Sequence, residues 1–237
     1  MSSQHLLVKR KTGASILVFA LLSISILGCL SSCAEGILSR SKEEGILEFD
    51  TRGVDPKHPL YILAPSSATM KFKGDKFVIE MSIMGLFNTT ILADNAKKTV
   101  AQTVKFLDIK QACIDEEAAL KAENAANELQ IEETEETKDI LGFKCYKAKV
   151  KRKAKPSVAY NVWYTKQLGK ENCNALTPYH QIKGLLMDYR VERMGMELHF
   201  VAKKFTPEAL TDNTFDLPAS MKIVSRAEME KLLKDLQ

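Results

Sequence analysis

The chain has 237 residues, with 34 basic and 30 acidic side chains and a formal net charge of +4. Lys9, Arg10 and Lys11 carry most of that excess; beyond residue 32 the balance is 31 basic against 30 acidic. A nearly neutral body lacks the positive field that drives nucleic-acid binding, which excludes that class. The remaining ~205 residues suit one domain, or at most two small ones.

The amino terminus has three parts: the cluster Lys9 to Lys11, an apolar run from Ile16 to Leu30, and Ser31-Ser32-Cys33. This order of basic, apolar and small-residue segments predicts a secretory signal over residues 1–32. The apolar run falls short of the ~20 residues that cross a bilayer, so a retained span is the weaker reading. Leu30-Ser31-Ser32-Cys33 resembles the bacterial lipobox, in which the cysteine thiol receives a diacylglycerol and becomes the first mature residue. Ile26-Leu27-Gly28-Cys29 is a competing match with a bulky Leu27. The resemblance implies lipidation at Cys33 and a partner membrane. Ala34, where an Asp would retain the protein at the inner membrane, implies the outer membrane, on its periplasmic or surface face. Residues 33–44 then read as the lipidated cysteine and a polar tether.

Period-two alternation dominates residues 45–225. Phe77, Ile79, Met81 and Ile83 share one face, as do Val100, Gln102, Val104 and Phe106. Leu185, Met187, Tyr189 and Val191 form a third stripe, and Met196, Leu198, Phe200 and Ala202 a fourth. Gly74-Asp75, Asp94-Asn95, Gly142 and Met194-Gly195 supply turns at hairpin spacing. One-sided stripes joined by short turns predict an antiparallel meander.

Asp115 to Leu129 breaks the alternation with strong helix formers and an acidic start, predicting a helix near 115–129. Residues 226–237 predict a second, amphipathic helix. It opens with Ser225 and Glu228 as a capping box, and Met229, Leu232, Leu233 and Leu236 form the stripe that docks on the sheet. Between the helices, residues 115–139 hold ten acids, and 144–155 hold seven basic residues. Lys147, Lys149, Lys151, Lys153 and Lys155 alternate, as expected for one strand face that meets solvent or recruits an anionic partner.

Thr137 to Val150 (TKDILGFKCYKAKV) with Val162-Trp163-Tyr164-Thr165 resembles a hairpin and strand signature of GLPGLI-type exported proteins, which carry a domain of unknown function. Gly184-Leu185-Leu186-Met187-Asp188-Tyr189 and Phe215-Asp216-Leu217-Pro218 resemble two further pieces of that pattern. The resemblance implies a LolA/LolB-like fold, a curved antiparallel sheet or incomplete β-barrel whose concave side is plugged by helices. The fold class expected is therefore mainly β (α+β) with one or two covering helices. No catalytic residues come with the family.

No nucleophile elbow or zinc-protease helix motif occurs, so no catalytic residue, metal site or cofactor is expected. His199 alternates with an apolar stripe and is expected to be exposed. Cys113, Cys145 and Cys173 allow at most one intramolecular disulfide, and their spacing names no pair. Met81, Ile83, Leu86, Phe87, Met187, Tyr189, Met196, Leu198 and Phe200 combine adaptable thioethers with aromatic rings. They are the candidate lining of a concavity for a lipid or acyl ligand, with Met84 to Phe87 at its mouth; an ordinary solid core is the competing reading. A void of several hundred Å³ lined by these side chains would favour the ligand reading over the solid core. The expected function is non-enzymatic binding of an apolar or amphipathic ligand by a lipid-anchored envelope protein. The alternative is an adaptor with a solid core that recruits an envelope protein through the charged hairpin.

Overall fold

The structure, a computed structural model, describes residues 43–59, 61–193 and 196–235. The signal segment, Cys33, the tether up to Lys42, the Met194-Gly195 turn and Leu236 lie outside the described residues. Among the described residues, twelve strands form one sheet, accompanied by two α-helices. The first meander comprises β1 (Glu44–Gly53), β2 (Ser67–Lys73), β3 (Lys76–Ile83), β4 (Phe87–Asp94), β5 (Thr99–Phe106) and β6 (Ile109–Glu116). Helix α1 (Glu117–Ala126) leads to β7 (Leu129–Ile140), β8 (Phe143–Arg152), β9 (Lys155–Thr165), β10 (Leu185–Arg193) and β11 (Met196–Pro207). The short β12 (Lys222–Ile223) and α2 (Arg226–Asp235) follow.

The sheet order is β12-β6-β5-β4-β3-β2-β1-β11-β10-β9-β8-β7. Its ladders are antiparallel except for β12, which runs parallel to β6. The two meanders thus join where the first strand meets the eleventh, with Thr51 opposite Phe200. The mainly-β expectation holds, and the sheet is large, open and curved. Its edges are β12, which pairs only with β6, and β7; α1 connects β6 to β7 in sequence.

One face of each strand turns inward, as alternation requires. Leu47 and Phe49 of β1, Met70 and Phe72 of β2, and Met187 and Tyr189 of β10 belong to one buried cluster. Tyr189 stacks on Phe200 with ring centroids 5.1 Å apart, and Phe49 meets both rings edge-on. On the opposite face of the first meander, Val78, Leu92, Thr103 and Ala112 are also buried. The stretch 208–221 supplies cover there: its 3-10 turn at Asp212–Phe215 contacts β3, and Lys73 Nζ holds Leu210 O at 2.7 Å. The chain then passes the sheet edge as β12, and α2 lands on the inner face against Val104 and Cys113 through Met229.

Helix α1 is shorter than the sequence predicts. Asp115 and Glu116 stay in β6 opposite Val100 and Thr99, and Leu129 opens β7 opposite Arg152. Ladder bonds at both ends override the helix propensity of the flanking residues. The lysine run is likewise divided. Lys147, Lys149 and Lys151 lie on β8, Lys153 and Ala154 form a turn, and Lys155 begins β9, so the five do not share one strand. The acids of β7 face this run: Glu132 pairs with Lys149 in register, and Lys147 Nζ reaches Glu136 at 2.8 Å.

At the β7–β8 turn, Leu141 and Gly142 both take positive φ, 58° and 80°, the geometry a two-residue hairpin turn needs. The capping box forms: Ser225 N donates to Glu228 Oε2 at 2.8 Å, and Glu228 N donates to Ser225 Oγ at 3.2 Å. These donors hold the Glu228 carboxyl below its ordinary value, the Ser225 backbone N–H first and its hydroxyl second. Cys113, Cys145 and Cys173 are all free thiols. His199 is not exposed as expected; its ring is half-buried, with Nε2 2.8 Å from Asp188 Oδ1 on the neighbouring strand.

The inner side of the second meander is filled by irregular chain where the resemblance implied helices. In the stretch 166–184, Leu168, Tyr179 and Ile182 are buried, and turn hydrogen bonds together with buried side chains satisfy its backbone. Asn174 Nδ2 donates to Ile182 O at 2.9 Å and Gly184 O at 2.8 Å, while Lys170 Nζ donates to Gly74 O at 3.1 Å. Burial lowers the Lys170 ammonium pKa and pushes the Cys173 thiol up to about 12.

Candidate cavity and its polar rim

The filling stretch and the two helices leave a cavity of about 160 Å³ against the inner face of the sheet. Met70, Phe77, Ile79, Met81, Ile91 and Val100 form its wall on the first meander, by the same strand periodicity that builds the core. Leu185, Tyr189 and Phe200 face them from the second. Helix α1 turns Leu120, Glu123, Asn124 and Asn127 toward the space, a spacing of three, four and seven residues that marks one helical face. Thr177 and Tyr179 close it from the irregular stretch. The volume is below the ~300–1,000 Å³ of drug-sized sites and near the ~150 Å³ of an engineered cavity that takes up benzene.

Of the sequence candidates, Met81, Tyr189 and Phe200 line this space. Met187, Met196 and Leu198 are buried in the solid cluster instead. Leu86 sits at the exposed β3–β4 tip beside Met84, which is 84% exposed. Ile83 and Phe87 pair at the base of that tip, and Phe87 packs, as Leu232 and Leu233 of α2 do, against the cluster that joins Val104 and Cys113 to Met229. The tip is therefore not the mouth of the cavity. Phe87 and Ile91 share the inner face of β4, but α2 docks over the Phe87 end and leaves only the Ile91 end open.

Charged groups around the space are paired. Arg226 donates from Nε to Asp115 Oδ1 and from Nη2 to Glu123 Oε2, both at 2.9 Å. Burial opposes the Arg226 charge, and the two carboxylates outweigh it, so its pKa is raised. On the far side Arg152 contacts Glu192 and donates to Glu197 Oε1 at 3.2 Å. Arg190 lies 5.0 Å over the Tyr160 ring and 3.8 Å from Glu197. Here β9 and β10 have parted: their register holds only at Leu185–Thr165, Leu186–Tyr164 and Asp188–Trp163. Tyr160 and Tyr179 join hydroxyls at 2.9 Å near this gap, and Tyr179 also donates to Arg190 O. Burial raises both phenol pKa values.

Two amides on the lining stand apart. Gln102 of β5 and Asn124 of α1 make no side-chain hydrogen bond among the described residues. The arrangement can thus hold an apolar body and offer it a few polar contacts. No group of three metal-ligating side chains occurs among the described residues. No helix among them is long and apolar enough to cross a membrane.

The sequence stripes already contained Phe77, Ile79, Val100 and Gln102, which share the face of Met81. Met70, Leu120, Asn124 and Arg226 were missed; the inward parity of Met70 and the helical phase of Leu120 and Asn124 were the available signals. No family model matches the sequence. No curated protein matches it either. Five chains among solved structures match its fold. One, the structure of PNGF-II in C2 space group, aligns at TM-score 0.48 and 17% identity over 80% of this chain and 32% of that one. The chain spans about a third of that neighbour's length, and a likeness this distant carries no argument about function.

Proposed function

We propose that this chain is an exported, lipid-anchored, non-enzymatic binding protein of the bacterial envelope, whose curved sheet holds a small apolar or amphipathic ligand. The observation that carries the reading is the cavity itself, an apolar space with a polar rim left unfilled against the inner face. An open, curved sheet with edges at β12 and β7, and with helices lying against it, supports a LolA/LolB-like reading of the fold. The size limits the ligand: a ring or short branched chain fits the ~150 Å³ class, whereas a full fatty-acyl tail requires the 166–184 stretch to move aside. Anchoring at Cys33 rests on the lipobox resemblance. Several acyl chains, at ~0.8 kcal/mol per buried CH₂, would hold the domain durably at a bilayer.

The adaptor alternative draws on the solid packing of Met187, Met196 and Leu198. The charged hairpin favours it less, because Lys147 is already paired with Glu136 and Lys149 lies opposite Glu132. Native mass spectrometry of gently purified protein should show a co-purifying small ligand, and Met81→Trp, which fills the space, should abolish it. A ligand-free protein whose melting point is unmoved by small aromatic or short-chain amphiphiles would sink the binding reading. For the anchor, Cys33→Ser should remove labelling by a fatty-acid probe; labelling lost only in Cys29→Ser would move the site.

A further inference from the structure

We infer that the cavity selects an uncharged hydrogen-bonding head, a hydroxyl or amide on a compact apolar body, and rejects carboxylates and amines. The inference rests on the binding reading above and concerns which ligand that site prefers.

Each charge at the rim is already answered. Arg226 is held between Asp115 and Glu123, and Arg152 between Glu192 and Glu197. Arg190 lies between the Tyr160 ring and Glu197. An incoming carboxylate would have to displace one of these carboxylates, leaving a half-buried anion without its partner. An ammonium would have to draw a carboxylate away from an arginine, with the mirror-image penalty. A charged head therefore loses its hydration shell and gains no free counter-charge.

The two amides are in the opposite condition. Gln102 lies between Ile91 of β4 and Cys113 of β6 in the inner-face register, and Asn124 lies on the cavity face of α1. Each amide offers two N–H donors and a carbonyl acceptor, none engaged by another described side chain or backbone group. In a space walled by Ile79, Met81 and Val100, such groups gain from a neutral donor–acceptor such as a hydroxyl. Glu123 and Asn124 are adjacent on α1, so the paired charges and the free amide are fixed by the same turn of helix.

Four probes share one body: 3-phenylpropanol, 3-phenylpropanoate, 3-phenylpropylamine and propylbenzene, titrated into the full mature protein at neutral pH by calorimetry. The alcohol is expected to bind at least about tenfold more tightly than either charged analogue. A carboxylate or amine that equals the alcohol overturns the inference. Failure of all four, propylbenzene included, overturns the binding reading as well. Propylbenzene binding with no preference among the three heads removes the selectivity alone. In Gln102→Leu/Asn124→Leu the advantage of the alcohol over propylbenzene should vanish. In Asp115→Asn/Glu123→Gln, which strips Arg226 of its two nearest carboxylates, the phenylpropanoate should gain about tenfold. An unchanged affinity in both variants, with melting points showing them folded, also overturns it.

Discussion

The two halves of the sheet have their inner faces filled by different means. Over β4 to β6 the filler is helix α2, which satisfies its own backbone and needs only an apolar residue such as Met229 to dock. In the second half the filler is the irregular stretch 166–184, where turns satisfy several carbonyls and the buried Asn174 amide serves those of Ile182 and Gly184. A helix can lose one contact and remain a helix. Irregular chain has no such reserve, because each lost donor strands a buried acceptor.

That contrast can be broken by substitution, and the largest effect is expected where the irregular stretch meets β9. Gly184 has φ 150°, and a Cβ there would lie 2.5 Å from Thr165 O. Gly184→Ala should cost ~3 kcal/mol or more in denaturant unfolding, since both backbone conformation and space oppose it. Asn174→Leu should come next, at ~2–3 kcal/mol, by leaving Ile182 O without a donor and Gly184 O with only the weak Cys173 thiol. Met229→Ala in α2 should cost ~2 kcal/mol, the low end for a buried methionine, because the site lies near the sheet edge and can relax. If Met229→Ala proves costlier than Asn174→Leu, the contrast between the two fillers is wrong.

Ser225→Ala removes the cap of α2 and should cost about 1 kcal/mol. pH sharpens the same comparison. Cys173 has its thiol pushed up to about 12, against 9.0 for an ordinary thiol. Between those values the folded chain holds the proton that the unfolded chain has released, so this contribution to stability falls as pH rises from about 9. Lys170, lowered by burial, works in the opposite direction below 10.5. Cys173→Ala should flatten the alkaline decline in melting temperature; an unchanged slope would assign that decline to other groups.

How far the sequence revealed this fold depends on whether one side of a strand is wet. Phe77 to Ile83 and Met196 to Ala202 were legible because polar or exposed positions such as Glu80, Ser82 and Val201 alternate with the buried ones. The β7–β8 turn was legible through Gly142. The boundaries of α1 were not, because Asp115 and Leu129 are held by partners on β5 and β8 that no local pattern reports. The filling stretch left no signal either: Leu168 is separated from Tyr179 and Ile182 by a run holding Gly169, Asn172, Asn174 and Pro178, with no sustained strand or helix stripe. For the cavity, the stripe of Met81 pointed to the correct face, but which part of that face stays open is decided by where α2 lands. That is a long-range fact, carried by Val104 and Cys113 meeting Met229.

The place of β1 has a mechanical consequence. The chain preceding Glu44 feeds into an interior strand, with nine register partners on β11 on one side and seven on β2 on the other. A pull on that leading chain is directed along the strand, so both ladders are loaded in shear and many bonds must fail together. An edge strand would peel one rung at a time. Tension from the amino-terminal side should therefore leave the domain intact long after a comparable pull on the two-residue β12 had stripped the opposite end.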